Sequence, residues 1–333
     1  MNQAEFLLHM KGALKKDHHR DYYEQMFLTL WKLYNEEAPL ADVKLINSAL
    51  KELRYTTKIL GEYRDERKVS IFGSARSSST AKIYKHAKNF ARKMSDNGFM
   101  VITGAGPGIM EAANAGAGKK SSFGFNIRLP FEQKANPYIE NDSKLIHYKY
   151  FFTRKLAFIK ETNAVVFFPG GFGTLDECFE VLTLLQTGKS LPMPVICIDK
   201  PGGNYWKQWF SYIKRMLLKH KMIAAEDLKL VRLMTNIDEA VEYIQHFYSN
   251  YHSIRYVNKT LFIRTLREIP DKALGVLNKR YKSILVQGGI EKTGPHEIEH
   301  DEPTHLHLKR IKLHFNKTHF GKLYQLIEEL NKY

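Results

Sequence analysis

The sequence predicts an α/β protein, a Rossmann-like doubly wound parallel sheet preceded by an N-terminal helical layer and followed by a small C-terminal α+β appendage. Three observations carry this expectation. Between Lys68 and Phe247 short apolar runs alternate with helical patterns, as in a parallel sheet covered on both faces. Two of those runs end in glycine turns that open directly onto a helix, Gly104-Ala105-Gly106-Pro107-Gly108 and Pro169-Gly170-Gly171-Phe172-Gly173. Residues 1–66 carry helical periodicity and no strand signal, whereas 250–333 mix the two periods. The expected domains are therefore 1–66, 67–249 and 250–333.

In the first region Phe6, Leu7, Met10 and Leu14 suggest a short helix, and Tyr22 to Tyr34 a second. A third runs from Leu45 to Leu60, after Pro39. The central region then reads as strand Val69–Phe72, turn Gly73-Ser74-Ala75-Arg76, and a helix with Tyr84, Ala87, Phe90, Ala91 and Met94 inward. Strand Phe99–Thr103 reaches the first glycine turn. Phe123–Ile127 and Leu145–Tyr150 are further strands, and Phe151–Glu161 is a helix. Strand Ala164–Phe168 reaches the second glycine turn and its helix, and Pro194–Ile198 is the last clear strand. Tyr205–Leu218 and Ile237–Phe247 read as helices. In the appendage, Thr260–Leu266 and Leu306–Phe315 alternate as strands, and Asp271–Ile284 and Phe320–Leu330 are helical.

Composition narrows the function. The 333 residues are 44% apolar and 26% charged, which suits a soluble globular chain. No apolar run is long enough to span a bilayer, and Met1–Lys15 lacks the features of a signal peptide. The two cysteines, Cys178 and Cys197, both fall in core-like positions, so a disulfide framework is not expected and a cytoplasmic setting fits. A net charge of +16 favours anionic partners. The basic residues are dispersed, without a long Lys/Arg block, which favours a solvated basic surface over a nucleic-acid face.

The glycine turns hold the chemistry. A buried strand ending in a glycine turn at a helix N-terminus gathers free amides and the positive end of the helix dipole, a ready anion site. Gly170, Gly171, Gly173 and Thr174 form such a cradle, and Glu177 puts a carboxylate beside it. Thr174 and Glu177 also have the spacing of a capping box, which explains them without a ligand. The Gly104–Gly108 turn misses the G-x-G-x-x-G dinucleotide spacing and no P-loop occurs, which disfavours a dehydrogenase and a P-loop ATPase. Its glycines serve either close helix–strand packing or a ligand. Arg154 and Lys155 lie near a helix start close to the sheet's carboxyl edge, where an arginine can clamp a phosphate or ribose. His296, His300, His305 and His307 have metal-ligand spacing, but the acids among them and Pro303 mark a solvated loop, so no metal is expected.

Taken in order, Gly104-x-Gly-Pro-Gly-Ile-Met-Glu-Ala-Ala-Asn, Arg154-Lys155 and Pro169-Gly-Gly-x-Gly-Thr-x-x-Glu177 resemble the Lonely Guy (LOG) family. Its members are cytokinin-activating phosphoribohydrolases and bacterial relatives often labelled "lysine decarboxylase". The resemblance covers about residues 68–220. The tail, with Tyr251-His252-Ser253 and His314-Phe315-Asn316, looks like the longer bacterial relatives. The resemblance implies hydrolysis of the N-glycosidic bond of a nucleoside 5′-monophosphate, AMP or a cytokinin-type nucleotide, to free base and ribose 5-phosphate, an AMP nucleosidase-like activity. It implies Arg154 and Glu177 as catalytic residues, and Gly170, Gly171, Gly173 and Thr174 as phosphate ligands, with help from Gly106 and Gly108. Glu111 would hold the ribose hydroxyls, unless it serves only as a dipole partner. Ser74 and Lys155 are further candidates for substrate contact. No cofactor and no metal are expected, no PLP-lysine signature is present, and relatives of this fold form homodimers.

Two other readings remain. One is a carrier that binds a nucleotide or a molybdopterin-type cofactor without turnover, against which the presence of both Arg154 and Glu177 argues. The other is a DNA-processing, nucleic-acid-binding Rossmann protein, which the basic charge permits.

Overall fold

The computed structural model describes residues 19–129, 134–301 and 303–333, together with 4, 5, 8 and 10. Phe6, Leu7 and Leu14, which suggest the first helix, lie outside them. The chain divides into two compact units, Met1–Thr57 and Lys58–Tyr333. The first holds helix α1 (Arg20–Asn35) and most of α2 (Leu40–Gly61), which starts directly after Pro39, five residues before the expected Leu45. No α1 side chain is buried, and its apolar stripe of Tyr22, Met26 and Leu30 is exposed.

The second unit is built on a seven-stranded sheet. In chain order its elements are β1 (Lys68–Phe72), α3 (Lys82–Asp96), β2 (Met100–Thr103), α4 (Ile109–Ala117), β3 (Ser122–Ile127) and β4 (Leu145–Tyr148). Then follow α5 (Phe151–Glu161), β5 (Ala164–Phe167), α6 (Phe172–Gln186), β6 (Val195–Ile198), α7 (Tyr205–Ile213), β7 (Arg232–Met234) and α8 (Ile237–Phe247). The strand order is β4-β3-β2-β1-β5-β6-β7, and every pairing is parallel. This is the doubly wound α/β fold that the sequence predicts.

Residue alternation along the strands explains why both faces are covered. Val69 and Ile71 of β1 join Val166 of β5 in one core, with Tyr84, Ala87, Phe90, Ala91 and Met94 of α3. Phe72 and Phe167 point the other way and pack with Phe125 and Phe158. Strands buried on both faces have to be apolar throughout, which is why they read as continuous runs. Successive strands step outward from β1 to β4, and the chain then returns to place β5 on the other side of β1. The strand order therefore reverses between β1 and β5. Open α/β sheets bind ligands at the carboxyl ends of the strands beside such a reversal.

The sheet has one strand more than the sequence shows, because Pro194–Ile198 is followed by the edge strand β7, only three residues long. The remainder of this unit is a second sheet, β8 (Tyr251–Val257), β9 (Thr260–Thr265), β10 (Glu291–Thr293) and β11 (Lys309–Leu313), in the order β10-β11-β9-β8 and antiparallel. Helices α9 (Asp271–Arg280) and α10 (Phe320–Leu330) accompany it. Strand β8 escapes the alternation test because His252, Ser253 and Arg255 interrupt it. The helical run expected to reach Ile284 stops at Arg280, and a separate short turn, Lys282–Ile284, follows. Cys178 and Cys197 are buried and free, as expected. Among the described residues no helix is long and apolar enough to cross a membrane.

Asn331 joins this second sheet to the last helix. Its Oδ1 accepts from the Asn250 and Tyr251 amides at 3.0 and 2.7 Å, and its Nδ2 donates to the Phe247 and Ile327 carbonyls at 2.7 and 3.1 Å. A buried amide that satisfies four backbone groups leaves all four unpaired when removed. Asn331→Ala is expected to destabilise the protein by about 3 kcal/mol, read from urea unfolding.

Candidate active site

The carboxyl edge at the β1/β5 reversal opens into a cavity of about 700 Å³. Three turns meet there. The turn after β1 runs between the other two: the Ser74 amide donates to the Pro169 carbonyl at 3.1 Å, and the Ser74 carbonyl accepts from the Ile109 amide at 3.0 Å. A Cβ at Gly108 would overlap the Ser74 carbonyl oxygen, and φ of Gly108 is +68°, so only glycine fits this approach. A Cβ at Gly170 would strike the Thr174 hydroxyl. The Tyr205 hydroxyl fixes the same turn by donating to the Gly170 carbonyl at 2.6 Å.

Helix α6 begins at Phe172, with Gly171 before it and no side-chain cap. The capping box allowed by Thr174 and Glu177 therefore does not form, because the helix starts before Thr174 and Glu177 lies in its second turn. The Thr174 and Leu175 amides bond to the Gly171 carbonyl. Those of Phe172 and Gly173 have no protein acceptor among the described residues. Unspent amides at the positive end of a helix form an anion site.

Two opposite charges face this cradle. Arg154, in the first turn of α5, donates from Nε to the Phe125 carbonyl at 2.8 Å, which fixes the guanidinium plane. Its Nη2 fills the space left by Gly104, where a Cβ would overlap it. Burial lowers the Arg154 pKa against the pull of Glu177. Glu177 is 6% exposed, and its Oε2 has no hydrogen-bond partner. Burial pushes the Glu177 pKa up to about 7, although Lys155 and Arg154 pull it down.

Lys155 does not line the cavity. Its ammonium meets Asp176 at 2.8 Å, Glu180 at 2.7 Å and Glu177 at 3.9 Å, clamping α5 onto α6. Burial would lower its pKa, but the hydrogen bonds to Asp176 and Glu180 outweigh that and raise it. Glu111 is likewise engaged elsewhere, accepting from the Tyr84 hydroxyl at 3.2 Å. Ser74, Gly106, Arg154, Gly171, Gly173, Thr174 and Glu177 line the cavity, whereas Gly108 and Gly170 shape its turns from behind. Phe72, Met110, Ile127 and Phe151 supply an apolar wall.

Sequence reasoning missed the support behind the Gly104–Gly108 turn. Asn114 Oδ1 accepts from the Thr103 hydroxyl at 2.7 Å and from Asn136 Nδ2 at 2.9 Å, and that same Nδ2 reaches the Gly106 carbonyl. The network holds Ala105 at φ 59°, a left-handed conformation. Asn114 stands in the quoted motif, but nothing near Asn136 in sequence marks it.

The histidine segment is occupied with structural bonds. Glu299 Oε1 accepts from Arg264 Nε at 2.8 Å, its Oε2 pairs with Arg310 Nε at 3.1 Å, and His305 Nδ1 contacts Arg264. Among the described residues no three His, Cys, Asp or Glu side chains converge as a metal site; the His300 side chain lies outside them.

A parallel sheet with glycine turns, an open helix N-terminus and an Arg–Glu pair at its switch point defines a doubly wound α/β protein with an anion cradle at the carboxyl edge of its sheet. Residues 109–244 match the family model described as "Possible lysine decarboxylase", which over this part of the chain supports the resemblance of its motifs to the LOG family. The match includes Arg154 and Glu177 and begins just after the Gly104–Gly108 turn. That match supports a nucleotide-binding or nucleotide-processing role and the potential for catalysis. No protein of curated function matches the chain. Among solved structures, the molybdenum cofactor binding protein of Rippkaea orientalis is similar at 19% identity and TM-score 0.38, covering 54% of this chain and 96% of that one. The molybdenum cofactor carrier protein of Chlamydomonas reinhardtii stands at 16% and 0.38, covering 54% and 96%. DNA processing protein A of Helicobacter pylori stands at 16% and 0.36, covering 57% and 83%. At TM-scores this low, these likenesses carry no argument about the site.

The raised Glu177 pKa has a consequence for stability. Between the ordinary carboxyl value of 4.5 and about 7 the folded protein holds a proton that the unfolded chain has lost, so stability falls as pH rises through that window. Glu177→Gln removes this penalty. The variant is expected to gain up to about 3 kcal/mol relative to the parent between pH 4.5 and pH 8, measured by urea unfolding at both.

Proposed function

We propose that the protein hydrolyses the N-glycosidic bond of a nucleoside 5′-monophosphate, AMP in the first instance, releasing free base and ribose 5-phosphate. The observation that carries this reading is Glu177, a buried carboxylate whose Oε2 has no hydrogen-bond partner, set in the same cavity as an open helix N-terminus. In this reading the 5′-phosphate takes the Phe172 and Gly173 amides, with Thr174 and Ser74 beside them. The base lies on the apolar wall of Phe72, Met110, Ile127 and Phe151.

Cleavage of the C1′–N bond sends its electron pair to the base nitrogen, which takes up a proton, and leaves an oxocarbenium-like sugar. An ionised Glu177 stabilises that positive charge most in a water-poor cavity, where electrostatic interactions are strongest. It also orients the attacking water and receives the proton that water loses on bonding to C1′. Arg154, fixed by the Phe125 carbonyl and Gly104, positions the nucleotide. Lys155 holds α6 in register and favours the ionised form of Glu177. Assembly as a homodimer belongs to the same proposal.

Incubation with a panel of nucleoside monophosphates tests the reading. AMP is expected to yield adenine and ribose 5-phosphate, and adenosine, lacking the phosphate, is expected to remain intact. Glu177→Gln should lower kcat about a thousandfold while nucleotide binding persists; turnover at the parent rate would sink the assignment. A carrier would return every nucleotide uncleaved.

The pH profile supplies a second test. Glu177 must be ionised, so kcat/KM is expected to rise with pH along a limb near 7. Lys155→Met removes a cation that lowers the Glu177 pKa, so this limb should move to higher pH, with Lys155→Arg restoring part of the shift. An unmoved limb would exclude Lys155 from tuning the carboxyl group.

A further inference from the structure

We infer that the amino edge of the parallel sheet holds a second ligand site, a cavity for a small phosphate-bearing anion, remote from the Arg154–Glu177 pocket. The cavity has a volume of about 340 Å³, in the range of small-molecule sites. Thr162 and Asn163, which precede β5, and Met193, which precedes β6, place it opposite the glycine turns. Its closing wall is Tyr251-His252-Ser253, a sequence feature that the first pocket does not use.

A β-bulge turns that wall inward. Tyr251 pairs with Thr265 and Ser253 with Arg264, so His252 is the extra residue between them. Bulges re-aim side chains in this way. Both His252 and Ser253 line the cavity, with His252 Nδ1 at 2.9 Å from the Ser253 hydroxyl.

The chemistry of the lining selects an anion. Lys189, His252, Ser253, Asn163 and Lys160, whose ammonium also pairs with Glu161, contribute to it, and no Asp or Glu lines it. Behind Tyr248, outside the cavity lining, lies Arg67, its guanidinium 4.1 Å from the ring centroid and without a carboxylate partner among the described residues. A half-buried guanidinium with no counter-ion beside a cavity free of acids lacks a negative charge that a ligand would supply. The field on His252 agrees. Burial, then His305, Arg67, Arg264 and His307, depress its pKa to about 4, so the ring is neutral at pH 7 and one of its nitrogens can donate to a phosphate oxygen. Helix α5 supplies Lys160 here and Arg154 to the other pocket, six residues or about 9 Å of helix rise apart.

Inorganic pyrophosphate is a suitable probe, because it has no glycosidic bond and its binding is independent of the proposed hydrolysis. With histidine-labelled full-length protein, and the His252 signal assigned by its loss in His252→Gln, pyrophosphate is expected to shift that resonance saturably and raise its pKa. Arg67→Gln should weaken the response about tenfold. Lys189→Gln, an exposed change that leaves folding intact, should weaken it severalfold. Thr174→Val, in the other pocket, should leave it unchanged. The inference fails if His252 does not respond to pyrophosphate, if its response survives both Arg67→Gln and Lys189→Gln undiminished, or if it is lost in Thr174→Val.

Discussion

The backbone of Ser74 is the constraint on which the candidate active site depends. Three turns leave three strands, and two hydrogen bonds at one residue, to Pro169 and from Ile109, make them a single wall. Gly108 and Gly170 follow from that closeness, since a Cβ at either position would collide with the neighbouring turn or with Thr174. The glycines are thus packing devices and, by the same geometry, leave amides open to a ligand. The two explanations that the sequence leaves open are two descriptions of one arrangement.

Glu177 shows the cost of such a site. A buried carboxylate with one oxygen, Oε2, left without a hydrogen bond is a local source of instability, offset only in part by Lys155 at 3.9 Å and by Arg154. The surrounding structure tolerates it because α5 and α6 are clamped by the other two contacts of Lys155, to Asp176 and Glu180. Local rules broken in this way concentrate where proteins do chemistry. The same lysine connects stability and the proposed reaction, since the contacts that hold the helices together also set the charge on the acid.

What the sequence reveals follows from how local each signal is. Apolar runs bounded by glycine turns announce β1, β2 and β5, and the inward stripe of α3 is read residue by residue. Strands β7 and β8 are hidden, one by its three-residue length and the other by the polar residues its bulge requires. At the site, Arg154, Thr174 and Glu177 are legible because they sit beside motifs. Lys155 is found as a residue, but its direction depends on a neighbouring helix that the sequence does not place. Asn136 is invisible because its partners, Asn114 and Gly106, lie 22 and 30 residues away. The capping box is a misreading of phase, because the helix starts at Phe172, before the threonine that would cap it.

The pairing of β1 with β5 has a kinetic meaning. Lys68 and Asn163, hydrogen-bonded at the start of this pair, are 95 residues apart, and β2, β3 and β4 all lie between them in the chain. Closing so large a loop is entropically expensive, so contacts of this range are slow to form. The wall knitted by Ser74 exists only once β5 has docked. A nascent or truncated chain ending before Phe172 would contain the Gly104–Gly108 turn and Arg154 but no cradle, and any nucleotide that occupies the pocket selects the fully folded chain over all earlier forms.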